Sequence, residues 1–170
     1  MDPPNAQGLR DLLKTQRIGS LGTLHEGEPY VSMVPFAILP GEAVFAIHVS
    51  RLAAHTKDML EHPSVSLLVV APASAVTPAQ AAARMTIQAD AAQLSAPESR
   101  HAQAKKAYLS RFPESEMMFE LADFSLFALK PRSIRFVGGF AQAKTITPER
   151  LAEVLRSNSG SDPTLTRIRG

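Results

Sequence analysis

The sequence has no cysteine and no tryptophan among its 170 residues, and no apolar run is long enough to cross a membrane. The missing cysteines exclude disulfides, thiolate metal sites and a cysteine nucleophile. The missing apolar run predicts a protein without a membrane partner. The N-terminus is polar, carries Pro3 and Pro4, and lacks the pattern of a secretory signal. These absences predict a cytoplasmic protein.

Neither charge sign is in large excess, because the sequence has 18 Lys and Arg residues and 16 Asp and Glu residues, a formal net charge of +2. Nucleic-acid-binding proteins usually concentrate basic residues on one face. The basic residues here are scattered, so we expect no nucleic-acid partner. The sequence also lacks a His-Glu-x-x-His metal motif, a Gly-x-Ser-x-Gly elbow and a dinucleotide fingerprint. No metal site is predicted, and no catalytic side chain can be nominated.

The apolar pattern is that of a β-rich chain of one domain's length. Alternating or continuous apolar residues predict strands at 18–24, 30–39, 42–49, 65–71, 84–94, 123–129 and 133–137. Helical spacing predicts helices at 5–16, 52–61, 95–111, 115–121 and 148–156. Strands joined by hairpins, with helices in the crossings, predict an α+β, mainly β fold of barrel type rather than a doubly wound sheet. We expect the domain at 1–145, its C-terminal helix at 146–157 and a disordered polar tail at 158–170.

Two local signals set boundaries within this pattern. Ser95 with Glu98 three residues later has the spacing of a capping box at the start of a helix. Lys130 and Pro131 are expected to break the last β segment into two strands, because proline cannot donate a backbone hydrogen bond.

The segment 49–63, reading VSRLAAHTKDMLEHP, joins a predicted strand to a predicted helix and has donors suited to a phosphate. Ser50 is expected to cap the helix and to offer its hydroxyl, and Arg51 offers a planar fork of donors. His55 lies four residues after Arg51, so the two share a helix face, and Thr56 adds a hydroxyl if the helix begins later. The alternative is that Ser50 is only a cap and His55 only a surface histidine.

Four blocks follow one another along the chain: PYVSMVPFA, VSRLAAHTKDMLEHPSVSLLV, RMTIQADAAQL and DFSLFALKPRSIRFVGGFAQA. In this order the chain resembles the pyridoxamine 5'-phosphate oxidase-like FMN-binding split-barrel family. It is most similar to the haem-utilisation (HugZ-like) branch, where the helical segment commonly reads Ser-x-Leu-Ala-x-His-Thr and the chain ends in a Gly-Gly-Phe turn. The resemblance extends from about Leu9 to Leu155. It implies an antiparallel split β-barrel, a homodimer with FMN at the subunit interface, and a small-molecule redox substrate.

The resemblance also implies where the cofactor would lie. The expected phosphate contacts are Ser50, Arg51, His55 and Thr56. The strand expected along the isoalloxazine ring comprises Val31, Ser32, Met33 and Val34. Arg84 and Gln88, on one side of a later strand, are expected to reach the flavin. The aromatic residues that would approach from the partner chain are Phe119, Phe124 or Phe140. Arg84 has an alternative role in a surface ion pair, and the phenylalanines have one in the core.

The function implied by the resemblance is that of an FMN flavoprotein, an oxidoreductase whose cofactor carries the redox chemistry. The chain departs from authentic pyridoxamine-phosphate oxidases, because it lacks their late Arg- and His-bearing motif, which argues against vitamin B6 oxidation. Two alternatives stay open: a non-catalytic flavin- or haem-binding protein, and a haem-degrading enzyme. Haem ligation would have to use His25, His48 or His101, because no histidine follows His101.

Overall fold

The computed structural model describes residues 1–72, 78–139 and 143–157. The four helices are α1 (Pro3–Thr15), α2 (Ala54–Glu61), α3 (Ser99–Arg111) and α4 (Pro148–Arg156). The eight strands are β1 (Ile18–His25), β2 (Glu28–Pro35), β3 (Ala37–Ile38), β4 (Phe45–Ser50), β5 (Ser64–Val70), β6 (Arg84–Leu94), β7 (Phe124–Val137) and β8 (Ala143–Ile146). Two 3₁₀ segments lie at Ala79–Ala81 and Pro113–Glu120. Phe140 and the tail at 158–170 fall outside the described residues.

The strands form one antiparallel sheet in the order β2-β1-β5-β6-β7-β4-β3. Strand β7 pairs with β6 along one edge, and its other edge pairs first with β4 and then with β8. The long strands β6 and β7 are the centre of this sheet, with eleven partner pairs between Arg84–Val137 and Leu94–Leu126. The sheet curls into a half-barrel with helices in the crossings, so the predicted α+β, mainly β split barrel is confirmed. None of the helices in the described parts of the chain is both long and apolar enough to span a bilayer.

Two apolar layers lie on the two faces of this sheet. The larger core fills the inside of the curl, where fully buried side chains such as Phe45, Leu67 and Phe136 pack with residues of α1 and α4. A smaller layer on the outer face joins Ala46 of β4 and Leu126 of β7 to Ala104 of α3. Strand β4 therefore carries alternate residues into the two layers, as the two-residue period of a strand requires.

The first hairpin turns through Glu26 and Gly27, both with positive φ, at 52° and 85°. Positive φ at both central positions is the requirement of a type I′ turn, which favours glycine and matches the twist of the flanking strands. The first two predicted strands are thus joined by a tight hairpin. Its tightness pairs His25 with Glu28 and fixes the register of β1 against β2.

Three local expectations were wrong. Lys130 and Pro131 do not break the last β segment. In the β6–β7 ladder Ala89 pairs with Pro131 and Gln88 with Ser133, so one extra residue bulges out and the strand continues. Ser95 does not cap α3, which begins at Ser99 after Glu98 without a side-chain cap.

The third is the predicted cap at Ser50, because α2 begins at Ala54 with Ala53 as its N-cap residue and no side-chain cap. The loop that turns the chain from β4 into α2 therefore takes up 51–53 before the first helical residue. Strand β8 was not predicted, since four residues reading AKTI carry too short a pattern.

Candidate functional site

A cleft of about 700 Å³ opens between the first hairpin, the end of β4 and the 3₁₀ segment after α3. One wall is formed by Met33 and Val34 of β2, and the opposite wall by Tyr108, Phe112 and Met118. The floor carries side chains from β4 and the start of α2, namely His48, Val49, Ser50, Ala53 and His55. Most of the exposed lining surface is apolar, as is usual for a small-molecule site, and the charged lining residues Arg17 and Glu114 pair with each other at 2.8 Å.

The α2 end of the cleft brings together part of the predicted phosphate segment. Ser50 lines the cleft, and its Oγ accepts a hydrogen bond from the Leu52 backbone N at 3.2 Å. Thr56 is only 1% exposed, and its hydroxyl donates to the Ser50 carbonyl at 2.7 Å. Thr56 thus stabilises the β4–α2 connection from within. Arg51 is exposed, and its side chain has no hydrogen bond or ion pair within the described parts of the chain.

The two sides of this end of the cleft differ in whether they favour negative charge. The Asp123 carboxylate lies 3.5 Å from Ser50 Oγ and disfavours an anion directly at that hydroxyl. On the other side, the N-terminus of α2 has no side-chain cap, and its backbone dipole favours negative charge. An anionic group is therefore best placed near Arg51 and His55.

His55 is held in a defined orientation by the first hairpin. Its Nδ1 lies 3.0 Å from the Oγ of Ser32 on β2, within hydrogen-bond distance. The ring is half-buried and lines the cleft, and burial lowers the pKa of His55 below its usual value. The imidazole is therefore mainly neutral near pH 7. Two of the predicted site residues, far apart in sequence, are thus in direct contact.

A second polar network fixes α2 one turn beyond His55. The buried Asp58 carboxylate accepts hydrogen bonds from Thr23 Oγ1 at 2.7 Å and from His25 Nδ1 at 2.8 Å. The carboxylate raises the pKa of His25. Burial opposes ionisation of Asp58, but the bonds from His25 and Thr23 outweigh it and lower the pKa of Asp58. His25 is thereby committed to a carboxylate and does not face the cleft as a free ligand.

The remaining predicted contacts lie on the other face of the sheet. Along β2, the side chains of Val31 and Met33 point away from the face that carries Ser32 and Val34. Val31 is 68% exposed and Met33 is 60% exposed. Val31 pairs with Gly22, Gly22 with Ser66, and Ser66 with Gln88, so Gln88 lies on the same outward face.

Arg84 is also remote from the cleft. Its guanidinium donates to the carbonyls of Gln80 and Ala82 at 3.0 and 3.1 Å, in the crossing before β6. The predicted residues therefore divide between the cleft and an outer face, and Met33 reaches both.

His48 is the most unusual polar group of the cleft. It is 7% exposed and is enclosed by aromatic rings, with Phe119 stacked on it at 3.7 Å and Phe124 and Tyr108 at 5.2 and 5.8 Å between ring centroids. Its Nδ1 is buried without a hydrogen-bond partner in the described structure. Burial lowers the pKa of His48 to about 4. The ring is therefore neutral at physiological pH.

Sequence reasoning missed three parts of this site. Nothing in the spacing of Thr23, His25 and Asp58 indicated that they meet, since the contact depends on how α2 crosses the hairpin. The packing of Tyr108 against His48 depends on where α3 docks. The phenylalanines Phe119 and Phe124 pack around His48 within the same chain. The alternation of β4 did contain a signal, because a histidine at 48 shares its face with Ala46 and is thus directed beneath α3.

Comparison with known proteins gives a consistent set of relatives. The family model described as pyridoxamine 5'-phosphate oxidase matches residues 6–138. The chloroplastic heme oxygenase HOZ of Arabidopsis thaliana is 35% identical over 139 residues, covering 79% of this chain and 40% of that protein. The heme oxygenase HutZ of Vibrio cholerae is 25% identical over 158 residues, covering 92% of this chain and 88% of that protein.

Among solved structures, a heme binding protein from Mycobacterium smegmatis superposes with a TM-score of 0.78 at 29% identity, covering 90% of this chain and 62% of that one. The chain thus spans less than two thirds of the plant protein and of the mycobacterial one.

Proposed function

Because this chain belongs to the pyridoxamine 5'-phosphate oxidase family, we propose that it uses the split barrel to bind haem in the cleft and to open the haem ring oxidatively. Three relatives carry names for haem chemistry, two as haem oxygenases and one as a haem-binding protein. The observation that carries the proposal is the cleft itself, which combines apolar walls with two neutral histidines. Ring opening of this kind consumes O₂ and electrons from a separate donor.

The residues of the cleft fit such a ligand in shape and polarity. A volume of about 700 Å³ lies within the range of pockets for drug-sized and cofactor-sized molecules. Apolar side chains such as Met33, Val34 and Phe112 suit the faces and edges of a porphyrin. The exposed Arg51 and the uncapped start of α2 suit its propionates, because both favour negative charge. Bound haem would supply the iron at which O₂ is reduced.

Oxidative ring opening is tested by adding a reductant to the haem-loaded protein in air. We expect the Soret band to fall, with a new long-wavelength absorbance from a linear tetrapyrrole. Catalase is included so that free hydrogen peroxide cannot account for the loss. If the Soret band survives while haem stays bound, the protein is a haem-binding protein without ring-opening activity, and the enzymatic half of the proposal is wrong.

A second candidate function is that of an FMN flavoprotein, the oxidoreductase predicted from the resemblance. It is favoured by the α2 segment, where Arg51, His55 and the uncapped helix start would hold a phosphate as readily as a propionate. FMN added to the protein would report binding by loss of its fluorescence. Undiminished fluorescence at micromolar protein would remove this candidate. Saturable quenching would support FMN binding. A titration with FMN and haem together then shows whether the two ligands compete for the cleft.

We also propose that a second copy of the chain covers the outer face of β2, giving the predicted homodimer with the cleft near the interface. Val31 and Met33 leave a contiguous apolar surface on that face, and such surfaces usually mark interaction sites. Gln88 lies on the same face, so association would bring it toward the partner's site. The predicted redox substrate would reach the cleft from the remaining open side.

Met33→Lys is expected to convert a dimer to a monomer, because a charge at the centre of an apolar interface loses its hydration without gaining a partner. Light scattering coupled to gel filtration measures the mass. Leu60→Lys is the matched control, since Leu60 is 59% exposed on α2, which crosses the opposite face of the sheet. A monomeric wild-type protein at the same concentration would contradict the proposal.

A further inference from the structure

The chain has five histidines, all within its described part, and the structure separates them by what they face. His25 is bonded to a carboxylate, His62 is exposed beside Glu61, and His101 lies on α3. Among the residues that line the cleft, the histidines are His48 and His55.

These two histidines differ in what their ring nitrogens contact. His55 has Nδ1 beside Ser32 Oγ at 3.0 Å and sits at the anion-favouring start of α2. His48 has no hydrogen bond at either ring nitrogen in the described parts of the chain, and its Nδ1 is buried. A buried polar atom without a partner destabilises the folded state. Because Nδ1 is enclosed, a ligand in the cleft would bond to the other ring nitrogen, Nε2, which also has no hydrogen bond in the described parts of the chain.

The chemistry of His48 limits what that ligand can be. His48 lines the cleft and is surrounded by the rings of Tyr108, Phe119 and Phe124, and such apolar surroundings favour the neutral imidazole. A neutral imidazole offers one N–H donor and one lone pair, and the lone pair can accept a hydrogen bond or bind a metal ion. Neutral imidazole is a common ligand of iron.

The aromatic cage around His48 is compatible with metal ligation. Phe119 covers a face of the ring, with an interplanar angle of 2° at 3.7 Å. The nitrogen lone pairs lie in the plane of the imidazole, so face stacking leaves them free. Tyr108 and Phe124 pack around the same ring and restrict its rotation. The orientation of this ring is therefore fixed by packing, whereas many metal-ligating histidines are oriented by a hydrogen bond.

We propose that the imidazole of His48 would bind the iron of haem held in the cleft. This inference rests on the proposed haem binding and adds to it the identity of the iron ligand. His55 is then a polar contact at the propionate end and does not bind the iron.

The test compares His48→Leu with His55→Leu, using hemin as the probe. Leucine fills the aromatic cage and removes the unpartnered nitrogen, so we expect the apo protein to melt at the same or a higher temperature. The haem affinity of H48L should fall about tenfold or more, and its ferric electron paramagnetic resonance and resonance Raman spectra should lose the histidine–iron signature. H55L should keep that signature. His48→Met should give a spectrum typical of a thioether ligand.

Three outcomes separate the possibilities. If H48L binds haem with the wild-type affinity and spectrum, the assignment of His48 is wrong. If H55L loses the histidine–iron signature while H48L keeps it, His55 is the ligand. If the wild-type protein binds no haem, the proposed function itself fails, independently of the ligand. Should H48L not fold, H48M decides, because a wild-type spectrum in H48M overturns the proposal.

Discussion

Replacing Asp58 by alanine is expected to lower the free energy of unfolding by about 3 kcal/mol, because it removes two hydrogen bonds to a buried carboxylate. Asp58 is 3% exposed and bonds Thr23 and His25 of β1. Its loss leaves the hydroxyl of Thr23 buried without an acceptor, whereas His25 is exposed enough to bond water. Urea unfolding followed by far-ultraviolet circular dichroism measures the change, since the chain has no tryptophan.

Asp58→Asn is the matched control, because the amide keeps the size and one acceptor oxygen but not the charge. We expect it to lose about half as much, or roughly 1.5 kcal/mol.

The pH dependence gives a further check. The pKa of Asp58 is lowered on folding, so its contribution is present above the unfolded value near 3.9 and is lost as pH falls through the folded value.

The contribution of His25 has the opposite sign, because its pKa is raised on folding. It is fully present below about pH 6.5 and is lost as pH rises through the folded value. The two contributions overlap between about pH 4 and 6.5, where the difference between wild type and D58A should be largest. A difference that does not change from pH 3 to pH 8 would contradict this account of the network.

Phe36→Ala is expected to destabilise the protein by about 4 kcal/mol, within the usual range for deletion of a buried phenylalanine side chain. Phe36 is fully buried, and its ring lies 5.8 Å from that of Phe45 between centroids. The Arg111 guanidinium lies 4.9 Å from the centre of the same ring. The substitution therefore leaves a cavity and also removes the surface on which a half-buried cation rests.

Phe36 also contacts Arg111, which links two helices. Its guanidinium donates to the carbonyls of Leu13 and Gln16 at the end of α1. Those bonds join the end of α3 to the end of α1. Phe36→Leu serves as the control and should cost about 1 kcal/mol, because most of the volume is retained. A loss below 1 kcal/mol in F36A would mean that the surrounding structure collapses into the space.

The strand and helix order was predictable because most elements carry a clear period. The alternating run from Arg84 to Leu94 was predicted with its observed bounds. The break expected at Pro131 failed because the strand accommodates a bulge there: Ala89 pairs with Pro131, Gln88 pairs with Ser133, and β7 continues past Arg132. That compensation depends on the partner strand, so the local sequence of β7 did not indicate it.

The candidate site was predictable only where its residues lie close in sequence. Ser50, Arg51 and His55 were found through one segment, and the fold places Ser50 and His55 at one end of the cleft. The contacts between His55 and Ser32, and between His48 and Phe119, depend on how distant elements pack. The cap predicted at Ser50 required a helix that begins directly after it, whereas the contact predicted for Thr56 required a later start, and α2 begins at Ala54.

The measurement that tests the central claim most directly is an absorbance titration of hemin into the purified apo protein, with H48L and M33K in parallel. We predict a saturable Soret shift in the wild-type protein, with a histidine-ligated spectrum that H48L lacks. M33K should bind more weakly, because Met33 forms part of the cleft wall. A linear, unsaturable rise in absorbance identical in all three proteins would contradict haem binding in this cleft.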